Sequence, residues 1–212
     1  MLFKNICVGK VELGVEENWT KDLNILVSFT LTDMKKEKNI LQLFFNEPTK
    51  HWHFEEILDA ARISRPQAVL WLKKGVREKI IKRIKPRRRQ SYYCAYYQNA
   101  KYQIKKRLFA LEMLENVGFL SHLNALPNVK TVILFGSLNR WDWHSNSDID
   151  VFIYGDPAGL ELYKYRIVLH REIEMFICID EKELYEFNPA LLHNVAEGYI
   201  IKGNLDFMQV RV

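Results

Sequence analysis

Residues 132–154 read VILFGSLNRWDWHSNSDIDVFIY, and this stretch decides how the chain is read. An apolar run, Val132 to Phe135, stops at Gly136-Ser137. A polar loop follows, and Ser147-Asp148-Ile149-Asp150 leads into a second apolar run, Val151 to Tyr154. Side chains alternate along a strand, so Asp148 and Asp150 share one face while Ile149 and Val151 take the other. Two carboxylates ~7 Å apart on one strand face repel unless a cation lies between them. Aspartate is also a poor strand former. Both facts assign the pair to a metal. Hard oxygen donors with few other protein ligands suit Mg2+ (or Mn2+) shared with substrate phosphates.

Gly136-Ser137 supplies the complementary half of the chemistry. A glycine at a strand end lets backbone N–H groups approach an anion closely. A helix starting just after it would add a positive end, and Ser137 can donate its hydroxyl to a phosphate oxygen. Such an apparatus holds a triphosphate by its tail and bridges it to the carboxylates through metal. In-line displacement at phosphorus asks for little more than positioning and charge neutralisation.

Gly-Ser, a ten-residue gap and Asp-x-Asp resemble the active-site signature of the DNA polymerase beta-type nucleotidyltransferases, above all their minimal members in archaea and bacteria. Those commonly read Gly-Ser-x-Ala-Arg-Gly, a short gap, and Ser-Asp-Ile-Asp. Gly136, Ser137, Arg140, Ser147, Asp148, Ile149 and Asp150 match, whereas Asn139 replaces the usual Ala and Trp141 the usual Gly. The resemblance implies NTP binding at Gly136, Ser137, Arg140 and Ser147, with ATP as the expected nucleotide. It also implies a third carboxylate on a neighbouring strand. Glu174 is the only acid inside the apolar run Ile173 to Ile179, on the same face as Phe176 and Cys178. It is the candidate third ligand, with Glu172 as the alternative.

No apolar run in the 212 residues approaches the ~20 residues of a membrane span. Three scattered cysteines, Cys7, Cys94 and Cys178, offer neither a disulfide framework nor a metal motif. A reducing cytoplasm is the expected location. His51-Trp52-His53 reads as a loop cluster too sparse for zinc, and His144 as a solvent-facing residue of the active-site loop.

Charge is uneven. Between Lys73 and Arg107 stand 14 Lys/Arg and one acid, Glu78, a local net of +13. A chain net of +5 then leaves −8 for the remainder. Clustered positive charge is an electrostatic footprint for nucleic acid. The surrounding pattern predicts a helix over Lys36 to Phe45, a second over Phe54 to Ala61, a turn at Arg62-Ile63-Ser64, and a third helix from Arg65 to about Glu78. Ser64 is its cap and Pro66 lies in its first turn. A basic strand over Ile80 to Lys85, a turn at Pro86 to Gln90 and a Tyr-rich strand over Ser91 to Tyr97 follow. Helix-turn-helix plus a basic-tipped hairpin resembles a winged-helix domain. That resemblance implies duplex DNA binding: Arg65, Gln67, Lys73, Lys74 and Arg77 on the third helix, and Arg87, Arg88 and Arg89 at the wing tip. Tyr92, Tyr93, Tyr96 and Tyr97 are expected to pack the hairpin onto its domain.

The expected fold is α/β (α+β), a winged helix-turn-helix domain plus a small nucleotidyltransferase domain with a mixed sheet flanked by helices. Residues 1–33 form an extension with a possible edge strand at Ile25 to Leu31, 34–98 the winged-helix-like domain, 99–118 a connecting helix and 119–212 the transferase domain. The connecting helix carries Ile104, Leu108, Leu111 and Leu114 at helical spacing. In the transferase part, strands are expected at Lys130 to Phe135, Asp148 to Tyr154, around Glu174 and at Tyr199 to Lys202, with helices near Leu160 to Leu169 and Glu181 to Asn194. The expected activity is metal-dependent transfer of a nucleotidyl group from an NTP to an acceptor hydroxyl on a protein, RNA or small molecule. No membrane partner is expected, and a homodimer is compatible with the reading. The alternatives are a DNA-binding regulator with a nucleotide-sensing or inactive transferase domain, and an antitoxin that modifies a partner toxin.

Overall fold

The computed structural model describes residues 37–140 and 142–208. The expected extension 1–33, including the strand at Ile25 to Leu31, and Trp141 lie outside them. The described chain is mixed α/β, with a three-stranded and a four-stranded sheet.

Helix α1 (37–46) buries Ile40, Phe44 and Phe45. Trp52–His53 form a short strand, β1, where a loop was expected. Trp52 is buried, and the antiparallel pairing of β1 with Tyr92 and Tyr93 satisfies backbone groups that burial takes from water. Helix α2 (Phe54–Ala61) ends on Arg62 in the left-handed region. Helix α3 (Arg65–Arg77) starts from Ser64 as its cap, with Pro66 in the first turn. It buries Ala68, Leu72 and Gly75. Strands β2 (Ile81–Ile84) and β3 (Tyr92–Ala95) form an antiparallel hairpin, and the sheet order is β1-β3-β2. Tyr93 and Tyr97 pack on the core, and Tyr92 stacks on His51 at 4.2 Å.

Helix α4 (Ala100–Asn116) corrects the expected apolar face. Ile104 and Leu108 are 57% and 54% exposed, whereas Tyr102, Lys106, Phe109, Ala110 and Leu114 are buried. The true stripe contains a lysine, so a search for apolar residues alone finds its Leu111 and Leu114 end and misses Tyr102 and Lys106. Gly118 then caps the short helix α5 (Phe119–Ala125).

The second sheet has the order β6-β5-β4-β7. Strand β4 (Val129–Phe135) is antiparallel to β5 (Ile149–Gly155) and to β7 (Tyr199–Lys202). Strand β6 (Ile173–Cys178) runs parallel to β5, with α6 (Leu162–Leu169) between them in the chain. The single helical stretch expected over 181–194 is two helices, α7 (Glu181–Leu184) and α8 (Pro189–Ala196). Pro189 cannot continue a helix but fits the first turn of a new one, capped by Asn188, whose side chain accepts from the Ala190 N–H.

Alternation along β5 separates two cores. Ile149, Val151 and Ile153 join the large cluster that also holds α1, α3, α4 and α5. Phe152 and Tyr154 join a second cluster with Cys178, Leu184 and Val195. Asp150 lies on the second face, just beyond the end of its apolar packing. Among the described residues no helix is long and apolar enough to cross a membrane.

Candidate active site

β4 delivers Gly136 and β5 delivers Asp150, because Phe135 and Asp150 are register partners. Gly136 adopts φ +71° and opens a 3-10 turn over Gly136–Asn139. A Cβ on Gly136 would lie 1.9 Å from Oδ2 of Asp150. Glycine is therefore demanded twice, by its backbone conformation and by the carboxylate packed against it.

Parallel pairing places Glu174 directly beside Asp150, and Ile173 beside Ile149. Asp148 is exposed and immediately precedes β5. The Asp150 carboxyl is pushed above its ordinary value, first by burial and then by the negative charges of Glu174 and Asp148. The Ser137 backbone N–H and the Arg140 charge act the other way. Asp148, Asp150 and Glu174 thus form an acidic cluster whose mutual repulsion a cation relieves. A cleft of about 470 Å3 opens beside it, lined by Asp148, Glu172, Glu174 and Arg166. Glu172 is drawn aside, with its carboxylate 3.4 Å from Arg166.

Among the described residues no group of three or more His, Cys, Asp or Glu side chains is arranged as a metal cage. The donor chemistry nevertheless fits Mg2+, which keeps several waters and is commonly bound through one or two carboxylates plus substrate phosphates. Asp148 and Asp150 are the residues that would hold it, with Glu174 alongside.

Two other residues expected to bind nucleotide, Arg140 and Ser147, have internal partners. Arg140 pairs with Asp142 at 3.0 Å, and Ser147 Oγ accepts the His144 N–H at 3.0 Å. Asn139, at the position where the resembled family has Ala, donates its side-chain N–H to the Glu197 carbonyl and ties the 3-10 turn to the approach of β7.

Three residues that organise this site escaped the sequence reading. Trp143 is completely buried, with its ring stacked on Phe109 at 6.3 Å. Lys106, also completely buried, donates to the Trp143 carbonyl at 2.5 Å. Arg171 donates through Nη1 to the carbonyls of His144 and Ser147, each at 2.7 Å. A tryptophan inside a polar loop was the available signal, since such a residue must bury somewhere.

On the basic side, Arg87, Arg88 and Arg89 lie exposed at the hairpin turn, with Arg88 in the left-handed region. The α3 residues divide. Arg65 pairs with Glu55 at 2.8 Å and Lys74 with Glu37 at 2.8 Å. Gln67 turns back so that its side-chain oxygen accepts the Ser64 N–H at 3.4 Å, which makes it a helix cap. Lys73 and Arg77 share the exposed face with Val69, Leu70 and Val76.

No curated protein and no solved structure matches the chain. Residues 120–205, which carry Gly136, Ser137, Asp148, Asp150 and Glu174, match the family model Polymerase beta, Nucleotidyltransferase, which supports a nucleotidyltransferase domain over this sheet.

Proposed function

We propose that the protein is a cytoplasmic, metal-dependent nucleotidyltransferase that moves a nucleotidyl group from an NTP, with ATP the first choice, to the hydroxyl of a protein, RNA or small-molecule acceptor, releasing pyrophosphate. The observation that carries this reading is the register pairing of Asp150 with Glu174, with Gly136 packed against Asp150, inside the family-matched segment. When bound, Mg2+ or Mn2+ would neutralise phosphate charge and orient the reacting phosphorus. Asp148 and Asp150 hold the cation. Gly136 offers close backbone approach, and Ser137 a hydroxyl donor, to phosphate oxygens. Arg140, released from Asp142, supplies positive charge to the phosphate tail. Glu174, beside Asp150 at the mouth of the cleft, completes the acidic site and takes the acceptor hydroxyl proton.

Helices α2 and α3 with the β2–β3 hairpin support a winged-helix reading, in which exposed Arg87, Arg88 and Arg89 contact duplex phosphates. A second functional reading, a DNA-binding regulator whose transferase domain only senses nucleotide, draws support from Arg140 being already paired with Asp142. Incubation of the purified protein with Mg2+ and α-labelled ATP, CTP, GTP or UTP, together with protein, RNA and small-molecule acceptors, tests the first reading. Label transfer abolished by Asp150→Asn supports it. Metal-dependent nucleotide binding without transfer to any acceptor selects the regulator.

A further inference from the structure

Residues 143–147 of the loop before Asp148 are held from three sides. From α4, the Lys106 ammonium reaches the Trp143 carbonyl and stands 4.3 Å from the Trp143 ring. From the turn before β6, Arg171 takes the His144 and Ser147 carbonyls, with its guanidinium 5.1 Å from the same ring. From the end of α1, the Asn46 carbonyl accepts the Ser145 N–H at 3.0 Å, and Glu47 accepts the Ser145 hydroxyl at 2.8 Å. The residue after Ser147 is Asp148.

Both buried basic side chains donate to loop carbonyls. A buried lysine with no carboxylate in contact is a poor way to stabilise a core, because its desolvation is only partly repaid. A well-packed apolar side chain of similar volume serves packing better. What the amine adds, protonated or not, is a directed hydrogen bond to one carbonyl of the loop. Two of the three attachments, moreover, belong to α1 and α4, outside the transferase sheet.

We propose that Lys106 and Arg171 are positioning residues, which clamp residues 143–147 so that Asp148 is held at the entry to β5, two residues before Asp150, and which make nucleotide binding depend on the seating of α1 and α4. The inference rests on the nucleotide-site reading for its functional arm only. The groups facing Lys106 are Tyr102 on its own helix, Trp143 and Asp142 on the loop, Arg171, and Glu47. Burial, then Arg171, disfavour its charge, whereas Asp142 and Glu47 support it.

Hydrogen–deuterium exchange on the full chain, free of ligand, tests the clamp directly. Lys106→Met is expected to speed exchange of peptides covering 142–148 by about tenfold or more while peptides from α2 and α3 keep their rates. Lys106→Arg, which keeps a cation over Trp143, is expected to restore protection. In calorimetric titration with MgATP, Lys106→Met is expected to weaken binding and Lys106→Arg to recover it. A merely structural lysine predicts no selective loosening and no rescue by arginine. Wild-type exchange over 142–148 in Lys106→Met overturns the proposal. Should that variant not fold, Arg171→Gln removes the other cation and is read on the same peptides. If the wild-type protein binds no MgATP, the nucleotide-site reading fails, and the exchange rates still decide the clamp.

Discussion

Gly136→Ala is the most discriminating single change at the site, because two separable penalties meet there. An alanine at φ +71° carries a left-handed backbone cost of ~1–2 kcal/mol. Its Cβ would stand 1.9 Å from Asp150 Oδ2 and 2.8 Å from Asp150 Cγ, an overlap that adds ~1–3 kcal/mol through displaced side chain and backbone. The expected loss is therefore ~2–5 kcal/mol. A double-mutant cycle separates the two. In an Asp150→Ala background the colliding atoms are gone, and the nearest remaining one, Asp150 Cβ, lies 3.2 Å away, tight but open to a small adjustment. Gly136→Ala should then cost only the backbone part, giving a coupling of ~1–3 kcal/mol. Asp150→Ala alone should be neutral or stabilising without metal, since it removes one charge of the Asp148, Asp150 and Glu174 cluster. Urea unfolding of the four proteins in EDTA supplies the energies. Equal losses in both backgrounds, a coupling below ~0.5 kcal/mol, would refute the packing of Asp150 against Gly136.

Lys106 predicts a pH signature. Burial holds its ammonium down at about 7, from an ordinary 10.5. Between these values the unfolded chain binds more protons than the native one, so native stability rises with pH across the window. Lys106→Met should lack that rise and be more stable than wild type at pH 6, by at most ~5 kcal/mol, with the advantage shrinking toward pH 10; parallel urea curves from pH 6 to pH 10 settle it. Mg2+ or Mn2+ at a hundred times its Kd should stabilise the wild type by ~2.7 kcal/mol, and an unchanged response in Asp148→Asn/Asp150→Asn would move the metal elsewhere. Replacing Arg87, Arg88 and Arg89 with Ala should reduce the salt slope of duplex binding by up to about three counterions and weaken all sequences alike. Salt-titrated fluorescence anisotropy reads that slope, and equal slopes would take the hairpin tip out of the interface.

The strands around Asp150 were legible because their signal is local. An apolar run, a glycine and an alternating acid pair need only the period of two to be placed, and the same parity set Glu174 on the carboxylate face. What stayed hidden depends on contacts between segments distant in the chain. Lys106 belongs to a buried stripe that looks interrupted until Trp143, 37 residues later, is known to lie against it. Gln67 looks available to a partner until the Ser64 N–H is counted as a donor that needs an acceptor. The split of 181–194 was readable in retrospect, since Asn188-Pro189 is a helix start as much as a breaker. Composition placed the basic segment, but pairing with Glu37 and Glu78 decides that Lys74 and Lys105 already have protein partners.

The large apolar cluster runs without a break from Ile40 and Phe44, through Tyr102 and Leu114 on α4, to Val132 and Ile153 of the four-stranded sheet. A protease or a cloning boundary placed near residue 118 would therefore cut through one interior. The released fragment would show water the faces of α5 and β4 that share this cluster with α4, at ~25 cal/mol for every Å2 uncovered. Both parts should accordingly melt in one calorimetric transition whose van't Hoff and calorimetric enthalpies agree. The family-matched sheet thus shares one wall with α1 and α4, so a ligand that bends α4 at the basic end of the molecule should also change amide exchange in β4 and β5.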